Sequence, residues 1–119
     1  MSTVLVPDNE RAYRVGYEAV EWPAPLDYAR YHALVSTGTG ECIVRDGECV
    51  GAVLRFKGEV HVCIYPAWRR RWATKGLLRQ ILAGPRVQTR VAPGHDYMHS
   101  VLQRLGFVRQ NEDTYVKEN

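Results

Sequence analysis

Ile64-Tyr65-Pro66-Ala67-Trp68-Arg69-Arg70-Arg71-Trp72-Ala73-Thr74 is the stretch whose reading decides the fold. It joins two periodicities. Upstream, Glu59 to Tyr65 alternates, with Val60, Val62 and Ile64 on one face and Glu59, His61, Cys63 and Tyr65 on the other, the period of a strand. Pro66 ends that strand. Downstream, Ala73, Leu77, Leu78, Ile81 and Leu82 recur at helical spacing and predict a helix from Trp72 to Ala83, stopped by Gly84-Pro85. The first N–H groups of a helix have no partner within it and carry partial positive charge. A strand-to-helix junction with three adjacent arginines is therefore a ready anion site, and a diphosphate is a suitable occupant: compact, multiply charged and rich in acceptors.

Outward from the junction the chain punctuates itself clearly. Asp46-Gly47 sits between two β-rich runs, Glu41–Arg45 and Glu48–Phe56, and predicts a two-residue hairpin. Lys57-Gly58 predicts a second turn. Toward the N-terminus, Val4-Leu5-Val6 reads as a short strand. Asp8 or Asn9 can cap a helix carrying Tyr13, Tyr17 and Val20 on one side. Trp22-Pro23-Ala24-Pro25 breaks it, and Tyr28, Tyr31, Leu34 and Val35 mark a second short helix. Toward the C-terminus, Val87, Thr89 and Val91 alternate. Met98, Val101, Leu102 and Leu105 then give a helix from about Asp96 to Leu105, stopped by Gly106, and two strands flank Asn111-Glu112-Asp113. The predicted order is β-α-α-β-β-β-α-β-α-β-β, a mixed α/β (α+β) domain occupying residues 1–119.

Bulk properties bound the answer. A chain of 119 residues makes one domain and can bury a core without metals or disulfides. Three cysteines without ligand spacing (Cys42, Cys49 and Cys63) read as reduced, buried thiols of a cytoplasmic protein. No apolar run is long enough to span a bilayer, and the N-terminus lacks a signal-peptide pattern, so no membrane partner is expected. Charge is unevenly placed. From Pro66 to Arg109 there are nine Lys/Arg against one acid, Asp96, a local net of +8. The remainder holds seven against twelve, a net of −5, so the basic part suggests an anionic partner.

The element order, the proline after the central strand, the arginine three residues later and the later Leu105-Gly106-Phe107 resemble the GNAT superfamily of acyl-CoA-dependent N-acyltransferases. The resemblance covers about residues 41 to 117. It implies a mixed central sheet with two splayed strands, and acetyl-CoA or another acyl-CoA as cofactor. Carried over, Ile64 and Tyr65 would line the pantetheine arm, and the amides of the Arg69, Arg70, Arg71, Trp72, Ala73 and Thr74 loop would hold the diphosphate. His95 takes the position of a family asparagine. The run Arg71-Trp72-Ala73-Thr74 resembles members encoded in bacteriophage genomes. The loop departs from the family pattern: Arg70, Trp72 and Thr74 stand where glycines are common. Leu102 replaces the tyrosine that serves as general acid, which leaves Tyr97 or a water for that part.

An attacking amine must lose a proton. Glu59 and His61 share a strand face near the expected splay and are the candidate bases; His is suited to neutral pH. His95 and His99 lack a third metal ligand. Cys63 with His61 allows a thiol nucleophile, but a buried strand thiol is the plainer reading. Tyr13, Tyr17, Tyr28 and Tyr31 either rim an acceptor pocket or form core.

Three functions follow. The first is acyl transfer from an acyl-CoA to an amine, on a small molecule or a protein. The second is a non-catalytic GNAT-fold protein binding a host or virion partner, motivated by the missing glycines and tyrosine. The third is nucleic-acid binding along the basic 66–109 stretch, with Trp68 or Trp72 stacking on bases.

Overall fold

The computed structural model describes residues 3–119. The chain runs β1 (Thr3–Pro7), α1 (Asn9–Ala19), α2 (Tyr28–Val35), β2 (Thr39–Arg45), β3 (Glu48–Phe56), β4 (Glu59–Ile64), α3 (Lys75–Ile81), β5 (Arg86–Arg90), α4 (Met98–Arg104), β6 (Val108–Arg109) and β7 (Thr114–Glu118). This is the predicted order. All seven strands form one sheet, β1-β2-β3-β4-β5-β7-β6. Every neighbouring pair is antiparallel except β4 and β5.

The hairpins follow from turn chemistry. Asp46 and Gly47 have φ of 50° and 82°, and Lys57 and Gly58 have φ of 52° and 74°. Two consecutive left-handed residues give the turn whose twist matches the flanking strands. They set β2 against β3 and β3 against β4 in long antiparallel ladders.

The alternation in β4 sorts the two cores. Val62 and Ile64 face α3 and α4, in a core with Trp72, Leu77, Ile81 and Met98. Cys63 faces α1 and α2, in a core with Ala12, Tyr13, Tyr31 and Leu54. α1 begins at Asp8, whose carboxylate accepts the Arg11 amide at 3.2 Å. It ends where the Trp22 indole N–H donates to Tyr17 O at 2.9 Å. Gly16 lets α1 approach closely: a Cβ there would lie 2.4 Å from the Tyr31 hydroxyl and 2.8 Å from Leu54.

Two helices start later than periodicity predicts. α3 opens at Lys75 rather than Trp72, because Thr74 accepts the Leu77 amide at 3.1 Å and so caps the helix there. Trp72 is fully buried ahead of that cap, its side chain given to the core. α4 opens at Met98, after a turn in which Met98 N–H donates to His95 O. No helix among the described residues is long and apolar enough to cross a membrane.

Candidate functional site

The site is defined by a divergence. β4 and β5 are joined at the single register pair Val60 and Thr89, reinforced by the Thr89 hydroxyl donating to Val60 O at 2.7 Å. Beyond it the strands separate. β4 continues to Ile64 alongside β3, while Val91 turns to the β6–β7 loop and donates its amide to Asp113 O. Such a wedge leaves strand-edge polar groups without a ladder partner, and these must be satisfied some other way.

At Ile64 they are satisfied by side chains. The Ile64 amide donates to His95 Nε2 at 2.9 Å, and Ile64 O accepts from Arg69 Nε at 3.1 Å. His95 Nδ1 lies 3.0 Å from Pro93 O. Because Nε2 must offer a lone pair, the ring proton sits on Nδ1 and donates to Pro93, which fixes a neutral tautomer. Burial holds the His95 pKa below the ordinary value, in keeping with that state. The Arg69 guanidinium also donates to Ala19 O at 2.7 Å and reaches Glu21 at 3.4 Å. Gly94 makes room for this cluster: its φ is 84°, and a Cβ would lie 2.4 Å from Glu21 and 3.0 Å from Arg69. Arg69 thus ties the end of α1 to the end of β4.

The loop after β4 is a 3-10 turn, Pro66–Trp68, followed by tight turns to Thr74. Arg70 has φ of 70°, a left-handed backbone that favours glycine. Its guanidinium lies 5.9 Å from the Tyr97 ring centroid. Arg71 stacks on Trp68 at 4.9 Å, and Arg45, near the same indole, donates to Arg71 O at 2.7 Å. The Trp72 indole points away from the loop surface and donates to the Tyr97 hydroxyl at 2.9 Å. Ala73, Thr74, Lys75 and Gly76 are exposed. The outer side of the loop therefore presents backbone and positive charge without the bulk of Trp72.

Glu59 and His61 come together at the other end of β4. His61 Nε2 lies 3.2 Å from Glu59 Oε1, out of line for a hydrogen bond. Glu59 also accepts from Gln88 at 2.7 Å and from Arg90 at 3.3 Å. Burial pushes the Glu59 carboxyl up, but these two donors and the Arg90 charge outweigh it and hold the pKa below the usual carboxylate range. Burial pulls His61 below its ordinary value, against the opposing charge of Glu59. His61 stacks on Phe56, with centroids 4.6 Å apart and planes at 13°. A neutral imidazole backed by an ionised carboxylate is suited to accept a proton near neutral pH.

Beside this pair lies an apolar chamber of about 430 Å³, between α2, β4 and the segment after β5. His61, Cys63, Trp22, Tyr31 and Ala92 help to line it, with Arg90 and Asp113 also contributing. Its His61, Cys63 and Arg90–Pro93 walls lie where β4 and β5 part. Of the four tyrosines offered as an acceptor-pocket rim, Tyr31 lines it; the other walls come from separated segments that leave no local signal.

The remaining candidates have partners of their own. Tyr65 donates its amide to Val50 O and its hydroxyl to Glu18. Tyr13 and Tyr31 are core residues, Tyr13 edge-on to His32 and Tyr31 edge-on to Trp22 and tilted against Tyr17 and Tyr28, though Tyr31 also faces the chamber. Burial pushes the Cys63 thiol up to about 12, which keeps it protonated and unreactive. His99 Nδ1 lies 2.8 Å from the Tyr115 hydroxyl, a different partner from that of His95. Leu102 is core, and the Tyr97 hydroxyl accepts from Trp72 rather than facing the chamber.

Comparison with solved structures agrees with this architecture. A protein of Desulfovibrio desulfuricans assigned to the GNAT family of acetyltransferases superposes with a TM-score of 0.60 at 13% identity, over 98% of this chain and 99% of that one. An acetyltransferase from Agrobacterium tumefaciens superposes with a TM-score of 0.58 at 14% identity, over 98% and 91%. No protein-family model and no curated protein matches the sequence. The chain has the fold of the GNAT acetyltransferases.

Proposed function

We propose that this protein is an acyl-CoA-dependent N-acyltransferase acting on an amine acceptor. The observation that carries the reading is the placement of the Glu59–His61 pair and its chamber beside the divergence of β4 and β5, within a GNAT fold. What supports a diphosphate here is the glycine-favouring turn at Arg70 followed by four exposed residues, 73–76, ahead of and opening α3. A pantetheine arm at Ile64 would take the place of His95 and Arg69 on that backbone, whose N–H and C=O are the pair such an arm needs. Bound there, acyl-CoA would supply an acyl group activated as a thioester.

The protein's own part is then to bind and orient. The 69–74 loop holds the anionic end. The Ile64 amide, freed from His95, is a donor directed into the wedge. Neutral His61, held against Glu59, takes the proton of the amine, directly or through a water, and the apolar chamber limits the water around it. The Arg71-Trp72-Ala73-Thr74 run supports a place among bacteriophage-encoded members. Initial rates of CoA release with a panel of amines test the reading. Turnover that requires both acyl-CoA and amine is expected; its absence across the panel at millimolar acetyl-CoA would count against it.

One observation favours a second reading, a non-catalytic protein on the same fold. Both backbone groups of Ile64 that a cofactor arm would use already have partners within the chain. If that arrangement is permanent, the wedge is a structural joint and not a slot.

A further inference from the structure

On the face of the sheet that carries α3 and α4, away from the β4–β5 wedge, lies a cleft of about 370 Å³. Its floor is apolar: Leu78 of α3 and Leu82, the residue that caps the end of α3, lie four residues apart, and Phe107 also lines it. Its rim is cationic: Lys75 and Arg79, also one turn apart on α3, and Lys117 of β7. Among the described residues none of these three cations is in an ion pair, and no Asp or Glu side chain lines the cleft. The Lys117 side chain passes beside Gly106, its Nζ 3.9 Å from where a Cβ would stand, and also lines the cleft. Other cations of the basic half are engaged: Arg69 by Glu21, Arg71 by Trp68 and Arg90 by Glu59.

We propose that this cleft docks a short acidic amphipathic helix of a partner protein. Charge complementarity selects the occupant. Three unpaired cations around half-buried leucines match a helix with apolar side chains at i and i+3 or i+4 and carboxylates flanking them. A nucleic acid fits less well. Bases need flat aromatic faces to stack on, and the one ring here, Phe107, is only 6% exposed. A membrane surface needs protruding apolar side chains, whereas these are recessed behind the charged rim. The proposal does not depend on acyl transfer, and its test does not read activity.

The test uses fluorescence anisotropy with the full chain and a labelled peptide of leucine and glutamate at helical spacing. A glutamine-for-glutamate peptide, a labelled single-stranded oligonucleotide and anionic lipid vesicles serve as comparisons. The acidic peptide is expected to saturate at about 10–100 μM and to weaken as salt rises. The glutamine peptide and the Arg79→Glu/Lys117→Glu variant are each expected to weaken binding about tenfold or more. Circular dichroism of the variant verifies that it folds. Absence of saturable binding would overturn the proposal. So would equal binding by the variant, or tighter binding of the oligonucleotide or vesicles through the same residues.

Discussion

The Ile64 amide donates to His95 Nε2 across 31 residues of sequence, a bond that, with the Arg69 bond to Ile64 O, occupies the wedge between β4 and β5. It requires a neutral imidazole. A proton on Nε2 would face the Ile64 N–H and turn attraction into repulsion. His95 is 1% exposed, so a charge there would also be poorly solvated.

Stability should therefore fall in mild acid. Both His95 and His61 have folded-state pKa values lowered by burial, so the unfolded chain binds protons first as pH drops. Their contribution is complete above the ordinary histidine pKa and is lost as pH falls below it toward the folded values. Glu59, lowered for an acid, retains its contribution through this window and loses it only at more acidic pH. Thermal unfolding between pH 7.5 and 5 should show a declining midpoint. His95→Asn, which keeps an acceptor without titrating, should flatten the decline, leaving the part due to His61. An unchanged slope in that variant would remove His95 from the account.

His95→Ala leaves the Ile64 amide without its acceptor in a buried position. The expected cost is about 1–3 kcal/mol. Excess acetyl-CoA should restore more of the lost midpoint in this variant than it adds to the wild type, because the cofactor arm no longer competes with the ring. A destabilised variant that acetyl-CoA does not rescue would make His95 a purely structural residue.

Arg69 donates to two carbonyls and reaches one carboxylate from a single guanidinium. A lysine has the charge but not the fork. Arg69→Lys should lose about 1–2 kcal/mol, read by denaturant unfolding, with no change in overall charge. Full stability in the lysine variant would show that charge alone holds α1 to β4.

His61→Asn should separate binding from proton transfer. If His61 takes the proton, turnover should fall by about 10²–10⁴ with little change in the KM for acetyl-CoA. The acidic limb of the pH–rate profile should vanish with it. Retained turnover with an unaltered pH profile would assign the base elsewhere.

Much of the architecture was legible from local chemistry. The alternation from Glu59 to Tyr65 set which face each β4 side chain occupies, and Asp46-Gly47 and Lys57-Gly58 marked both hairpins. The start of α3 was misplaced by three residues because Trp72 satisfies helical periodicity while serving as core ahead of the Thr74 cap. The site was less legible. A long arginine beside a junction reads the same whether its guanidinium faces a phosphate or folds back on Ile64 and Ala19. The pairing of Ile64 with His95 is a tertiary fact with no periodic trace. Glu59 and His61, two apart on one strand, could be brought together by their spacing alone; of the chamber beside them only the Tyr31 wall was in view, since its other walls are distant in sequence.

Calorimetric titration of acetyl-CoA into the wild-type protein tests the central claim most directly: that the wedge at Ile64 is a cofactor slot held shut by the chain's own side chains. The account predicts saturable binding with one site per chain, competed by CoA and tightened in His95→Ala. No heat of binding at millimolar acetyl-CoA, in the wild type and in His95→Ala alike, would contradict it.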